Sequence, residues 1–209
     1  MSVYVPLKSA AKNTRDYTMP GEHAVKFTVS EKGFKPSDYG LEVNCNVKVV
    51  GTPYQFFERF ILPENDEKAH QLMHMVSERT GKEYKDPSYM KWCNLQAVAG
   101  FQGGEAVSQE DIMDFLNEVE VSWGVNLEVS VNSKDADNWD DVVDWFESNL
   151  SKNGKPRGWS QREYDGADII TWHIGKVDET NQPLLDHVSG IPGVTFKNVL
   201  NGFNKPKKV

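Results

Sequence analysis

VEVSWGVNLEVSV, residues 119–131, alternates between apolar and polar side chains without interruption. The apolar ones occupy seven successive odd positions: Val119, Val121, Trp123, Val125, Leu127, Val129 and Val131. A period of two is typical of a β-strand with one buried face. The 13 residues at about 3.3 Å each make a strand of roughly 40 Å, longer than most. Gly124 at its centre is typical of long strands that turn a corner in small barrels.

Four further strands are predicted, three before this one in the chain and one after it. LEVNCNVKVV (residues 41–50) alternates in the same way, the turn GTP ends it, and YQFFERFIL (residues 54–62) follows, so the two form an antiparallel hairpin. EHAVKFTVSEKGF (residues 22–34) contains an earlier strand. GADIITWHIGKV (residues 166–177) supplies the last one.

Four helices are predicted around the long strand. Three of them make up an insert over residues 64–118: NDEKAHQLMHMVSERTG with its Gly81 stop, DPSYMKWCNLQAVAG, and SQEDIMDFLNE with Ser108 as N-cap. A fourth, acidic helix is predicted over residues 137–150.

Five strands with a helix between the third and the fourth is the strand order of the OB-fold. The sequence therefore predicts a mainly β (α+β) protein: an OB-like five-stranded antiparallel barrel with a helical insert and an elaborated loop before the last strand. The predicted parts are an extended arm (residues 1–20), the OB-like domain (21–176) and a C-terminal extension with a basic end (177–209). A sandwich and an α+β sheet remain alternatives, because the pattern determines strand order and not strand pairing.

The 209 residues carry a formal net charge of −8, but the charge is uneven. Residues 104–150 hold 13 acids and 1 cation, whereas the rest holds 22 cations and 18 acids, a net charge of +4. A polyanionic partner is therefore compatible with the acidic total.

The N-terminus lacks a signal-peptide pattern, and no apolar run approaches the roughly 18 residues of a membrane span. With two well-separated cysteines, this predicts a cytoplasmic protein with reduced thiols and no membrane partner.

Cations and aromatic rings occur together in two places. SKNGKPRGWSQREYDG (residues 151–166) contains Lys155, Arg157, Trp159, Arg162 and Tyr164. In the hairpin, the alternation turns Lys48, Phe57 and Arg59 outward, with Lys26 on the neighbouring strand. Single-stranded nucleic acid needs this combination, because cations follow the phosphates while flat rings stack on bases.

The predicted nucleic-acid site divides these residues by role. Lys26, Lys48 and Arg59 track phosphates, Arg157 and Arg162 clamp the strand, with Lys155 beside them, and Phe57, Trp159 and Tyr164 stack on bases. The alternative is that Phe57 and Trp159 pack under the helical insert or in a subunit contact. No residue is predicted to be catalytic or to bind a metal, and no cofactor is predicted.

The acid-rich segment leaves two other functions open. Exposed aromatics and an acidic segment suit a protein-interaction or virion component that meets a basic partner. Metal-dependent cleavage of nucleic acid is a further alternative, because Asp135, Asp137, Asp140, Asp141 and Asp144 offer oxygen ligands for a hard cation. Counted from Asp135, however, the positions of an EF-hand glycine and glutamate hold Asp140 and Phe146.

In element order, and in the stretches NVKVVGTPYQFFERFIL and VEVSWGVNLEVSV, residues 21–176 resemble the OB-fold single-stranded-DNA-binding proteins of tailed phages. The resemblance implies sequence-independent binding of single-stranded DNA in phage replication or recombination, in the host cytoplasm. RNA is the other candidate ligand, and replication or recombination proteins and a second copy of the chain are the candidate protein partners. Such phage proteins commonly end in an acidic tail, whereas this chain ends NKPKKV, so recruitment of partners through the C-terminus is in doubt.

Overall fold

One long strand organises the molecule. The computed structural model describes residues 17–77, 80–101 and 107–209 of the chain. The long strand, β7 (Glu120–Asn132), spans 13 residues in which every odd-numbered side chain is buried and every even-numbered one is partly exposed. The predicted alternation is therefore confirmed, with both ends of the strand shifted by one residue.

Nine strands form one antiparallel sheet in the described part of the chain. In chain order they are β1 (Gly21–Thr28), β2 (Phe34–Ser37), β3 (Gly40–Val49), β4 (Gln55–Pro63), β7, β10 (Trp159–Tyr164), β11 (Ala167–Ile174), β12 (Thr195–Leu200) and β13 (Lys207–Lys208). Two short ladders are separate from this sheet: β5 (Met75–Val76) with β6 (Glu83–Tyr84), and β8 (Ser151–Lys152) with β9 (Lys155–Pro156).

Five helices accompany the strands in the described residues. They are α1 (Asp66–Met73), α2 (Pro87–Ala99), α3 (Gln109–Glu118), α4 (Trp139–Asn149) and α5 (Gln182–Val188). The first three lie within the segment predicted as an insert, and Ser108 caps α3 as predicted. The sequence predicts that the first helix extends to Gly81. It ends at Met73, because the chain turns back on itself. The Ser77 N–H donates to the Lys82 carbonyl (2.9 Å), and β5 pairs with β6.

Both edges of β7 are paired along most of their length. β1 and β12 both pair at Val125, and β11 and β12 both pair along residues 127–130, so β1 and β11 occupy one edge in succession. β12 and β13 occupy the other edge. Beyond β1, the sheet continues to β3, which pairs with both β2 and β4, and β10 extends it beyond β11.

The α+β class is confirmed, but the prediction of an OB-like five-stranded antiparallel barrel is wrong in the number of strands and in their closure into a barrel. The nine strands form an open sheet, in which β4 has β3 as its ladder partner within the described residues. Of the four additional strands, β12 and β13 pair with the second edge of β7, whereas β2 pairs with β3 and β10 pairs with β11. The predicted hairpin of β3 and β4 is confirmed, with Val47 opposite Phe56.

The segments predicted as an elaborated loop and as a C-terminal extension contain regular structure. The basic segment after α4 forms β8, β9 and β10, and β10 pairs with β11 over six residues. The C-terminal extension forms α5, β12 and β13. Of the predicted N-terminal arm, residues 1–16 lie outside the described residues. Tyr17 stacks on Phe196 of β12, with ring centroids 4.8 Å apart.

The buried side of the sheet carries two hydrophobic clusters that share β7. The first joins Val121 and Trp123 to β1, β3, β4, α2 and α3. The second joins Leu127 and Val131 to β11, α4 and α5. The uninterrupted alternation of β7 is therefore explained by one strand serving two successive cores.

Both cysteines are free thiols, as predicted. Cys45 is buried on β3, and burial, followed by the nearby Glu58 carboxylate, raises its pKa. None of the helices in the described residues is long and apolar enough to cross a membrane.

Candidate nucleic-acid interface

The side of the sheet that carries the even-numbered side chains of β7 is called here the polar face. Lys26 on β1 lies opposite Lys48 on β3 and opposite Glu120 on β7. Phe57 on β4 lies opposite Asn46, two residues from Lys48. Because directly opposite residues project to the same side of a sheet, Lys26, Lys48 and Phe57 share the polar face.

Phe57 is the most exposed aromatic residue of this part of the sheet. Its side chain is 70% exposed, whereas Phe56 is 8% and Phe60 0% exposed, so the predicted division of QFFERF between two faces is confirmed. A buried Phe side chain gains about 1.5–3 kcal/mol over an exposed one. Phe57 lacks this stabilisation by burial, and its exposed ring is available to contact a ligand or another protein.

Two of the three cations around Phe57 have acidic partners. Lys26 Nζ lies 2.8 Å from Glu120 Oε2, and Arg59 Nη1 lies 3.4 Å from Glu42 Oε2. Arg59 also donates from Nε to the Ser88 hydroxyl at 3.3 Å. Lys48 is exposed and forms no salt bridge with any described residue. The group is thus a mixed-charge surface around one exposed ring.

The Trp159 ring is predicted to be available to bases, but it packs against the second hydrophobic cluster. It lies opposite Trp172 in the β10–β11 pair, which turns it toward the second cluster, where its ring centroid is 5.7 Å from that of Phe146. Its indole N–H donates to the Leu150 carbonyl at 3.1 Å. The ring is partly buried against this cluster, so less of it is available for stacking on a base than the prediction requires. The predicted alternative, packing, describes Trp159 better, although its neighbours are α4 and β11 and not the helical insert.

Arg162 and Tyr164, by contrast, are exposed on β10. Arg162 lies opposite Ile169, which lies opposite Asn132 of β7, so this pair belongs to the polar face. Tyr164 is 67% exposed, and the Arg162 guanidinium carbon lies 6.0 Å from its ring centroid. Lys155 and Arg157 are exposed in the preceding segment, where Lys155 lies opposite Lys152.

The two predicted groups share a face but not a location. Lys26 lies at the same position along β7 as Glu120, its partner in the β1–β7 pair. Arg162 lies at the same position as Asn132, through Ile169 of β11. These positions are 12 residues apart along β7, or roughly 40 Å along a straight strand. A single short stretch of ligand therefore cannot contact both groups.

A groove between these positions was missed by sequence reasoning. Its volume is about 560 Å³, and Gly124 and Asn126 of β7 are among its lining residues. Phe203, which is 72% exposed, lines it together with three exposed lysines: Lys176, Lys205 and Lys207. The sequence signal is the run FNKPKK, which the prediction includes in the C-terminal extension and not in the nucleic-acid site.

Carboxylates also lie on the polar face and limit its positive potential. Glu22 accepts a salt bridge from Lys207 at 2.6 Å. Burial alone raises the pKa of Glu128, but the hydrogen bond and charge of His173 and the charge of Lys197 outweigh burial and lower that pKa. The Glu128 carboxylate is therefore stabilised in its charged form beside His173 and Lys197.

Within the described residues, no three His, Cys, Asp or Glu side chains are grouped as a metal site. Comparison of the chain with protein-family models, with curated proteins and with solved structures gives no match.

Proposed function

We propose that the polar face binds single-stranded DNA without sequence preference and without catalysis. The observation that carries this proposal is the 70% exposed Phe57 on the open sheet face, flanked by Lys48 and Arg59. Stacking of a base on an aromatic side chain contributes about 1–3 kcal/mol and accepts any base. Cations beside such a ring give phosphates a place to bind on either side of the stacked base.

The proposed centre consists of Lys26, Lys48, Phe57 and Arg59. Phosphates compete there with Glu120 and Glu42 for Lys26 and Arg59, so binding exchanges one set of ion pairs for another. Both cations have more than half of their side chain exposed, which keeps their present pairs weak. Lys48 offers a phosphate contact that needs no such exchange.

A longer strand fits a track along β7 from this centre across the Phe203 groove to Arg162 and Tyr164. The track is roughly 40 Å long, which corresponds to fewer than about 12 nucleotides, because an extended single strand has a longer repeat than the 3.4 Å of duplex DNA. Site sizes of about 4–16 nucleotides are usual for sheet-based single-strand binders. Trp159 has no part in this track.

The biological setting is also part of the proposal. The chain order of β1, β3 and β4, helices α1–α3 and then β7 supports an OB-like relationship of a partly open kind. Together with the resemblance in sequence, this order leads us to propose a role in phage replication or recombination, in the host cytoplasm, with RNA as the other ligand to test.

The test is the affinity for fluorescein-labelled oligo(dT), measured by fluorescence anisotropy. Phe57→Ala is expected to weaken binding by about 1–3 kcal/mol, because a stacked base is lost. Tyr84→Ala is the matched control, because Tyr84 is an exposed ring (43%) on the separate ladder of β5 and β6. For the wild type, log K should fall with log salt at about −0.7 per neutralised phosphate.

Two results would count against the proposal. An affinity that does not change with salt concentration excludes phosphate contacts. A Phe57→Ala variant that keeps the wild-type affinity but loses self-association in sedimentation experiments assigns Phe57 to a subunit contact. Phe57 would then serve a protein interaction, and the proposal that its ring stacks on a base would be wrong.

A further inference from the structure

An apolar recess lies on the buried side of the sheet, where α4 meets the turn that follows α5. Its volume is about 550 Å³, and Val142, Trp145 and Ile191 provide apolar lining. The Trp145 ring stacks on His187, with centroids 4.6 Å apart and planes inclined by 11°. Two carboxylates, Asp137 and Asp141, lie at its edge. These six residues are called here the acid-rimmed recess.

The acids in and beside the recess are not neutralised by the described part of the protein. The carboxylates of the segment are all exposed, and none forms a salt bridge with a described residue: Asp135, Asp137, Asp140, Asp141, Asp144 and Glu147. On the polar face, by contrast, Glu22, Glu42 and Glu120 each have a lysine or arginine partner.

Helix capping explains only some of these acids. Asp140 and Asp141 lie in the first turn of α4, where negative charge stabilises the helix dipole. Asp144 and Glu147 lie further along the helix, and Glu147 lies near its C-terminus, where negative charge is unfavourable. The last turn has no cation to compensate. The charge of this surface therefore exceeds what local helix stability requires.

We propose that the acid-rimmed recess binds a basic segment of a partner protein, in which lysines or arginines flank one apolar side chain. The apolar side chain inserts against Trp145 and Ile191, because a concave apolar surface with an aromatic wall provides an anchor position. The flanking cations meet Asp137 and Asp141, which select the partner and accelerate its approach. Negative charge repels nucleic acid from this surface. The site is separate from the polar face and does not depend on DNA binding there.

The test uses the peptide acetyl-Lys-Arg-Leu-Lys-Lys-amide and two variants, one with Leu replaced by Ser and one with every cation replaced by Glu. Binding to the full-length protein is followed by ¹H–¹⁵N NMR. The basic Leu peptide should produce saturable shifts of the Trp145 indole and the Ile191 amide. The Ser peptide should bind about tenfold more weakly because it lacks the anchor, and the acidic peptide should produce no shifts there.

A pair of protein variants separates the recess from general attraction to an acidic protein. Asp137→Asn/Asp141→Asn should lower the affinity for the basic Leu peptide by about tenfold. Glu110→Gln/Asp114→Asn changes the charge equally on exposed positions of α3 and should leave it unchanged. Circular dichroism checks that both variants are folded. Equal affinity for the Leu and Ser peptides, shifts confined to other surfaces, or no saturation up to about 1 mM would overturn the proposal.

Discussion

Glu58 and Lys91 form an ion pair inside the first hydrophobic cluster. Both residues are 7% exposed, and Lys91 Nζ lies 2.6 Å from Glu58 Oε1. The other carboxylate oxygen of Glu58 accepts a hydrogen bond from the Leu200 N–H at 2.8 Å. The Glu58 side chain of β4 thus connects α2 to β12. Within the described residues, β12 pairs with β7 and not with β4.

Lys91→Met should destabilise the protein by about 3–5 kcal/mol, because it leaves the Glu58 carboxylate buried without its cation. Glu58→Gln/Lys91→Met should lose less, since a neutral amide needs no counter-charge and can still accept from the Leu200 N–H. Urea unfolding of the two variants and the wild type measures the difference. If the double variant is as unstable as the single one, the cost comes from packing and not from an unpaired charge.

The sequence indicates that Glu58 is buried, but it does not indicate that Lys91 is its partner. The alternation in QFFERF places Glu58 between Phe56 and Phe60 on the core side, where a charge requires compensation. Lys91, which is 33 positions away on α2, has no local pattern that distinguishes it from an exposed lysine. The partial burial of Trp159 was not predictable for a related reason, since it depends on the position opposite Trp172, which only strand pairing determines.

Among the elements, α3 has the most complete N-terminal cap. The Asp111 N–H donates to Ser108 Oγ at 3.1 Å, while the Asp111 carboxylate accepts from the Ser108 N–H at 3.0 Å and from its hydroxyl at 2.6 Å. The side-chain hydrogen bond from Ser108, followed by the backbone one, lowers the pKa of Asp111 below its usual 3.8. The cap therefore stabilises the folded protein at a pH above the usual pKa of 3.8. This contribution is lost as the pH falls through the lowered pKa of Asp111.

Ser108→Ala should raise the pKa of Asp111 part of the way back toward 3.8, because the hydroxyl donor is lost and the backbone donor remains. Ser108→Thr, which keeps a hydroxyl, is the control and should retain the lowered value. Carboxyl ¹³C chemical shifts recorded across an acid titration give both values. An unchanged pKa in the Ala variant would show that the hydroxyl has no influence on the carboxylate.

Elements with a strong local period were predictable, and those defined by their partners were not. The pattern gave β7, the β3–β4 hairpin and the cap of α3, because burial of one face leaves a direct trace in residue order. β12 and β13 have no such trace: the run contains Asn198 on its buried side, where the side chain hydrogen-bonds to the backbone of Thr18. These strands exist because β7 has a second edge to pair.

At the scale of the whole molecule, the uneven charge of the sequence corresponds to two different surfaces. On the polar face three cations, Lys26, Arg59 and Lys207, are paired with acids, and aromatic rings are exposed between the cations. The acids of residues 135–147 form no salt bridge with the described residues, and two of them, Asp137 and Asp141, line an apolar recess. The sequence predicted the residue types of both surfaces. It did not predict the roughly 40 Å between the two cation groups, which follows from β1 and β11 occupying one edge of β7 in succession.

Photo-crosslinking tests the proposed contact between Phe57 and a base most directly. Oligo(dT) in which thymidines are replaced by 5-iododeoxyuridine is irradiated with the full-length protein, and mass spectrometry locates the adduct. The predicted result is an adduct at Phe57, within the tryptic peptide that follows Lys48, and its loss in Phe57→Ala while Tyr84→Ala retains it. Adducts confined to α4, or to surfaces other than the polar face, would contradict the assignment of this sheet face to single-stranded DNA.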